Sequence, residues 1–257
     1  MTPVSRKEVT IGVDIGTTAV KAVVADEDGR VVARARIPHE LRVPRPDRLE
    51  HNAGEAWRAG PLAALNQLAR PDALAVAVSA MVPSLTAVDS GGHPITPGLL
   101  YGDSRGRAPG PHSTDTLDGP FPLGEAAEFL RWTAAQAPEA AGYWAAPAVA
   151  NYALAGEAVV DFPTAYTASP LFDGNGWNAE ACADRGATVE QMPRVDAPGA
   201  VVGRVRAEDG VGLGMLTAGE SIELGLRGGH SDSSSRAIPL TGIGSQSGRL
   251  SSSYCSS

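Results

Sequence analysis

An α/β domain, a mixed sheet flanked by helices, is the architecture this sequence predicts. Three observations carry the prediction. Residues 9–14, 19–25 and 30–36 cluster Val, Ile and Ala between the short separators "GTT" and "DEDGR", the pattern of consecutive strands. Residues 52–69, "NAGEAWRAGPLAALNQLA", place Trp57, Leu62, Leu65 and Leu68 at helical spacing. Residues 73–80, "ALAVAVSA", then return to an apolar run of strand length.

Each element follows in order. The Asp28-Gly29 pair lies in a turn of the kind that joins antiparallel strands, so residues 9–36 read as a three-strand meander. Prolines 38, 44 and 46 predict an irregular crossing, with the basic stretch Arg42 to Arg48 as an exposed loop. Asn52 stands where an N-cap would, three residues before Glu55. The strand at 73–80 breaks at "MVPS" (81–84), and a further strand, "LTAVD", leads into "SGGHPITPG". Segments 124–136 and 143–155 have helical character, with Trp132, Tyr143, Trp144 and Tyr152 supplying bulk. Residues 161–177 are dense in turn formers and read as a loop, and "NAEACADRG" begins another helix. From about residue 229 the pattern lapses, with 11 serines among residues 231–257 and few large apolar side chains. Such a segment does not bury enough surface to offset its ordering entropy.

Composition narrows the function classes. A chain of 257 residues that is 43% apolar can bury at least one substantial core. A net charge of −8 argues against nucleic acid or an anionic membrane surface as partner. Cys182 and Cys255 are too few and too far apart for a disulfide framework or a metal cluster. The opening "MTPVSRKEVT" lacks the look of a signal peptide, and no apolar run approaches the ~20 residues that cross a bilayer. A cytoplasmic protein is the expectation.

Chemistry concentrates first in "VDIGTT". Asp14 ends the first strand, so its carboxylate emerges at a sheet edge, and Gly16 would let a ligand approach the main chain. Thr17 and Thr18 add hydroxyls beside their own N–H groups. Together they make a small anion cradle next to a carboxylate able to hold a water on Mg²⁺. A hairpin whose Asp and Thr only hydrogen-bond their own turn is the competing reading.

"VDIGTTAVKAVVADEDGRVV" resembles the opening of the FGGY carbohydrate kinases, of the actin/hexokinase-like superfamily. Five later stretches resemble the family in the same order: "RLEHNAGEAW" (48–57), "AVAVSAMVPSLTAVDSGGHPITPGLLYGDSRG" (75–106), "EFLRWTAAQAPE" (128–139), "NYALAGEAVVDFPTAYTASPLFDGNGWN" (151–178) and "QMPRVDAPGAVVGRV" (191–205). The resemblance implies a ribonuclease H-like (actin/hexokinase-type) domain over residues 1–228. It also implies ATP-dependent phosphorylation of a sugar or polyol hydroxyl, with ATP and Mg²⁺ as cofactors. Asp14 would take part in catalysis by placing Mg²⁺ through water, and Gly16, Thr17 and Thr18 would receive phosphate.

Further site residues follow from the same resemblance. Met81, Val82 and Pro83 fall in a sugar-contacting loop, but Ala80-Met81-Val82-Pro83 stands where xylulokinases carry Gln-Met-His, so the usual polar contacts are missing. Tyr101 replaces the family's Trp and offers a ring to stack on a sugar. Asp103 and Arg105 either hydrogen-bond sugar hydroxyls or pair with each other to hold the loop. Glu50 and His51 read as capping and surface residues, Asp161, Thr164, Ser169 and Asp173 as turn supports, and Lys21 as a solvated side chain.

Whole members of the family are about twice as long, and a second domain supplies the adenine site and the catalytic base. "IELGLRGG" (222–229) resembles the approach to that base, and Asp232 falls near the expected position, but on the serine-rich stretch 229–257 with no strand before it. A frame-shifted or truncated gene, weak or inactive alone, is the expectation, with a non-catalytic carbohydrate-binding fragment as the alternative. The partner expected is the sugar or polyol, with a homodimer among the allowed assemblies.

Overall fold

The structure, a computed structural model, describes residues 8–107, 124–206 and 215–218. Asp232 and the whole serine-rich stretch lie outside the described residues.

The meander forms as the sequence predicts: β1 (Val9–Ile15), β2 (Ala19–Asp26) and β3 (Val31–Pro38) pair antiparallel in succession. The β2–β3 turn closes on the Asp26 carboxylate, which accepts the N–H groups of Asp28 and Arg30, while Gly29 takes a left-handed φ of 76°. The proline-rich crossing is not irregular. It is a hairpin of β4 (Arg42–Arg45) and β5 (Arg48–His51), and Pro44 is tolerated because β4 is an edge strand with no ladder partner for the missing N–H.

The helix expected at 52–69 divides. Gly54–Ala59 is a π-helical turn, entered with the Glu55 N–H donating to Asn52 Oδ1 at 3.3 Å, and α1 (Gly60–Leu68) continues from it. Pro61 has no N–H to offer the Trp57 carbonyl, and the Gly60 N–H instead reaches back to Glu55 O, widening the turn. Next come β6 (Ala73–Ala80), β7 (Ser84–Val88), β8 (Gly98–Leu100) and α2 (Glu125–Gln136).

Residues 143–155 are not one helix. Gly142–Trp144 is β9, paired with β7, and Pro147 opens α3 (Ala146–Ala155) in its first turn, where a missing N–H costs nothing. Nor is 161–177 all loop. The Asp161 carboxylate at the end of β10 (Val159–Asp161) accepts the Thr164 N–H and starts α4 (Phe162–Tyr166). Asp173 does stabilise a turn, accepting from Asn175 and Gly176. α5 (Ala179–Ala183), β11 (Arg194–Asp196), β12 (Val201–Arg204) and β13 (Met215–Ala218) complete the described elements.

The main sheet is mixed, in the order β12-β13-β6-β1-β2-β3, with β1, β6 and β13 parallel. A second sheet, β4-β5-β8-β7-β9, is antiparallel throughout. Alternation along β1 decides which face is covered. Val9, Ile11, Val13 and Ile15 are buried on the side where α1 and α3 pack, and Thr10, Gly12 and Asp14 point the other way and stay partly or fully exposed.

Trp57 is fully buried, against His51 of β5 and Gly98 of β8. A Cβ at Gly98 would fall 2.4 Å from its Cη2 and Cζ2 atoms, so β8 approaches the indole only because residue 98 lacks a side chain. Gly98→Ala is therefore expected to destabilise the fold by about 1–3 kcal/mol through overpacking, read from urea unfolding. An unchanged midpoint would mean that the indole has room to move.

Candidate functional site

Parallel pairing of β1 with β6 sets their carboxyl ends side by side, the usual location of ligand sites in such sheets. Two loops leave from there, residues 16–18 after β1 and 81–83 after β6. They are tied directly, the Met81 N–H donating to Ile15 O at 3.3 Å. Asp14 stands exposed on the open face of the sheet, opposite Lys21 on β2 and Ser79 on β6 in the register. Lys21 is exposed, as the sequence reading has it.

Gly16 does not adopt a left-handed φ; its value lies in space rather than conformation. A Cβ there would sit 3.2 Å from Ala19 O, the carbonyl that its own N–H engages, and 3.8 Å from Asp14 Oδ2. A side chain would fill the hollow between the turn and the carboxylate. Thr17 is half-buried and Thr18 exposed.

Behind this turn lies an arrangement that sequence reading missed. His51 is no surface residue: it is 0% exposed, because β5 pairs with β8 and carries it inward. The Trp57 Nε1–H donates to His51 Nδ1 at 3.0 Å, which leaves the ring proton on Nε2, where it donates to Thr17 O at 2.8 Å. The neutral imidazole thus uses both nitrogens. Burial pushes its pKa down to about 4, the Thr17 carbonyl opposing part of that shift. His39 packs edge-on against it, with ring centroids 4.5 Å apart, and its backbone N–H donates to Thr18 O at 3.1 Å. Burial lowers the His39 pKa as well. No period in the sequence announces this group; His51 ends a strand and Trp57 lies in the π-helical turn, so no single spacing links them.

The loop after β8 carries the other expected residues. Tyr101 is 48% exposed at the strand's end. Leu100 pairs with Ser84, so Tyr101 leaves β8 just where Pro83 enters β7. Val82 and Pro83 line an apolar cavity of about 30 Å³ beneath, and Met81 packs against the main core. Asp103 is fully buried. Its Oδ1 accepts the backbone N–H and Nε of Arg105, both at 2.8 Å, and its Oδ2 accepts the Leu49 N–H at 2.6 Å and Arg105 Nη2 at 2.7 Å. Burial pushes the Asp103 carboxyl up, but the guanidinium and N–H donors outweigh it and hold it below the usual range.

Arg105 also donates to Glu50 at 2.7 Å and lies 4.7 Å above the Trp132 ring, so Glu50 serves in an ion pair rather than as a helix cap. Glu125 on α2 accepts the Gly102 N–H at 2.5 Å, and burial, with Asp103 nearby, raises its pKa. The loop is thereby fastened to β5 and α2 at once.

Residues 9–109 match the N-terminal domain of the FGGY family of carbohydrate kinases. They belong to that family. An apulose kinase of Pectobacterium atrosepticum is 37% identical over 101 residues, 38% of this chain and 20% of that protein. A xylulose kinase of Streptomyces coelicolor is 31% identical over 256 aligned positions, covering 85% of this chain and 50% of that protein. The fold is similar to that of the xylulose kinase from Rhodospirillum rubrum, with a TM-score of 0.68 at 24% identity over 83% of this chain and 49% of that one. The mixed sheet with its flanking helices is the ribonuclease H-like, actin/hexokinase-type fold. The chain spans half or less of the length of these relatives.

Among the described residues no cluster of three or more His, Cys, Asp or Glu side chains is placed to hold a metal ion directly, and no helix is long and apolar enough to cross a membrane. The hollow at Gly16 beside the exposed Asp14 carboxylate nevertheless fits a hydrated metal bound to phosphate, since water would bridge the carboxylate to the ion.

The His51 array predicts a pH dependence of stability for this chain. A His whose folded pKa is lowered from 6.5 to about 4 leaves the unfolded chain binding a proton first as pH falls. Stability is full above about 6.5 and declines towards pH 4, by at most on the order of 3 kcal/mol from this residue. Urea unfolding at pH 7.5 and pH 4.5 should show the decline in the native chain and a flatter profile in His51→Gln. Equal pH slopes in the two proteins would contradict the assignment.

Proposed function

We propose that this chain is the sugar-binding half of an ATP-dependent carbohydrate kinase, spanning residues 1–228. Asp14 and the Gly16-Thr17-Thr18 turn receive the nucleotide's terminal phosphates, and the loops 81–83 and 101–105 face the sugar or polyol. The observation that carries this reading is the juxtaposition at the carboxyl ends of β1 and β6. There the Gly16 backbone beside an exposed carboxylate lies one hydrogen bond from the loop 81–83, whose last residue enters β7 next to the point where Tyr101 leaves β8.

Each residue has a part. Thr17 and Thr18 offer hydroxyls and backbone N–H groups to phosphate oxygens, and Asp14 orients the water shell of Mg²⁺, which when bound would offset charge on the phosphates. Tyr101 presents its ring to the apolar face of a sugar. Asp103 and Arg105, saturated by each other and by Leu49 and Glu50, hold that loop still rather than reaching for hydroxyls. With Met81, Val82 and Pro83 at the loop where polar contacts would stand, the face suits a ligand recognised by shape and stacking more than by hydrogen bonds.

Transfer to the sugar requires a base to take the hydroxyl proton, and the expected Asp232 lies outside the described residues. A panel of pentuloses, polyols and aldonates with Mg²⁺ and ATP should accordingly release little ADP, while a cognate sugar raises the melting temperature without ATP. Mg²⁺-dependent ATP binding, measured by calorimetry, should weaken about tenfold in Asp14→Asn while the sugar-induced shift persists. Equal affinity in the two proteins would remove Asp14 from the phosphate site.

A further inference from the structure

We propose that His51 is a positioning residue of the phosphate site: its neutral ring, held by Trp57, grips the Thr17 carbonyl and so turns the Thr18 N–H outward to meet an anion. The inference rests on the reading of residues 16–18 as a phosphate loop.

The argument begins with the peptide plane. The Thr17–Thr18 bond is trans, so its C=O and N–H point in opposite directions. His51 Nε2 engages the carbonyl at 2.8 Å from inside the fold, which commits the Thr18 N–H to the opposite side. The next carbonyl, Thr18 O, is taken by the backbone N–H of His39. Two successive carbonyls of the turn are thus engaged by the rest of the fold, and the Thr17 and Thr18 hydroxyls and N–H groups are the donors the turn offers.

A histidine suits this task because one ring must donate and accept at once. Trp57 has only an N–H, and it occupies His51 Nδ1 at 3.0 Å. That contact fixes the tautomer, so the donor always faces Thr17. A protonated ring would set two N–H groups against each other at Trp57, so the arrangement requires the neutral form. Trp57 is in turn immobilised by Gly98, whose missing side chain leaves room for the indole. The orientation of the turn is therefore set from β5, the π-helical turn and β8, none of which bears a group expected to touch nucleotide.

The test uses the native chain, His51→Phe and His51→Gln. Long-range ¹H–¹⁵N spectra of the native protein should show the Nε2–H tautomer for His51; the Nδ1–H tautomer would overturn the proposal whether or not any variant folds. Titration of the native chain with Mg²⁺–ATP should shift the Thr17 and Thr18 amides. His51→Phe should lose about tenfold in ATP affinity, and His51→Gln, whose amide both donates and accepts, should recover to within about threefold of native. The sugar-induced melting shift should stay the same in all three. Native ATP affinity in His51→Phe would refute the positioning role and leave the phosphate loop standing. Thr17 and Thr18 amides unmoved by ATP in the native chain would refute both.

Discussion

Parallel pairing of β1 with β6 is the constraint on which the remaining arrangement depends. Two strands running the same way deliver their outgoing loops to the same edge, so the Gly-Thr-Thr turn and the Met81–Pro83 loop become neighbours although about 65 residues of chain separate them. Antiparallel pairing would have sent one loop to the opposite end. The intervening hairpin, π-helical turn and helix α1 form the crossover that a parallel pair requires, and α1 buries the apolar side of β2 and β3 on its way. The open side of the same strands is left to Asp14, Lys21 and Ser79, where polar side chains are not forced to give up water.

The second sheet performs a different service. It is small and antiparallel, and its strands carry the groups that hold the site's loops from within: His51 and Glu50 on β5, Gly98 on β8, and the 101–105 loop that β8 releases. Asp103 and Arg105 show why burial of charge is tolerable there. Each carboxylate oxygen has two donors, and the guanidinium has two acids and an aromatic face, so little desolvation is left uncompensated. The network fixes the loop that follows β8, with Tyr101 exposed at its start.

Much of the framework was legible in advance because it obeys short periods. The meander, α1, β6 and α2 all announce themselves through alternation or helical spacing, and Asp14 with Gly16, Thr17 and Thr18 stands out by composition alone. The errors have local causes. Pro44 and Pro46 suggested an irregular crossing where an edge strand tolerates the first and the hairpin turn the second, and Tyr143 with Trp144 gave a helical appearance to a strand three residues long. His51 was misplaced for a different reason: four residues of "RLEH" are too few to show which side faces inward when the partner strand lies some 50 positions away.

By itself the sequence determined the meander, the strand β6, the helical segments that became α1 and α2, and the residue types in the turn after β1, since these follow from neighbours within a few residues. Only the tertiary structure decided that a histidine from a distant hairpin would serve that turn, and that an aspartate and an arginine would satisfy each other rather than stand open. Hydrogen bonds between residues remote in sequence depend on how strands are set side by side, and that placement is fixed by the packing of the whole domain rather than by any local pattern.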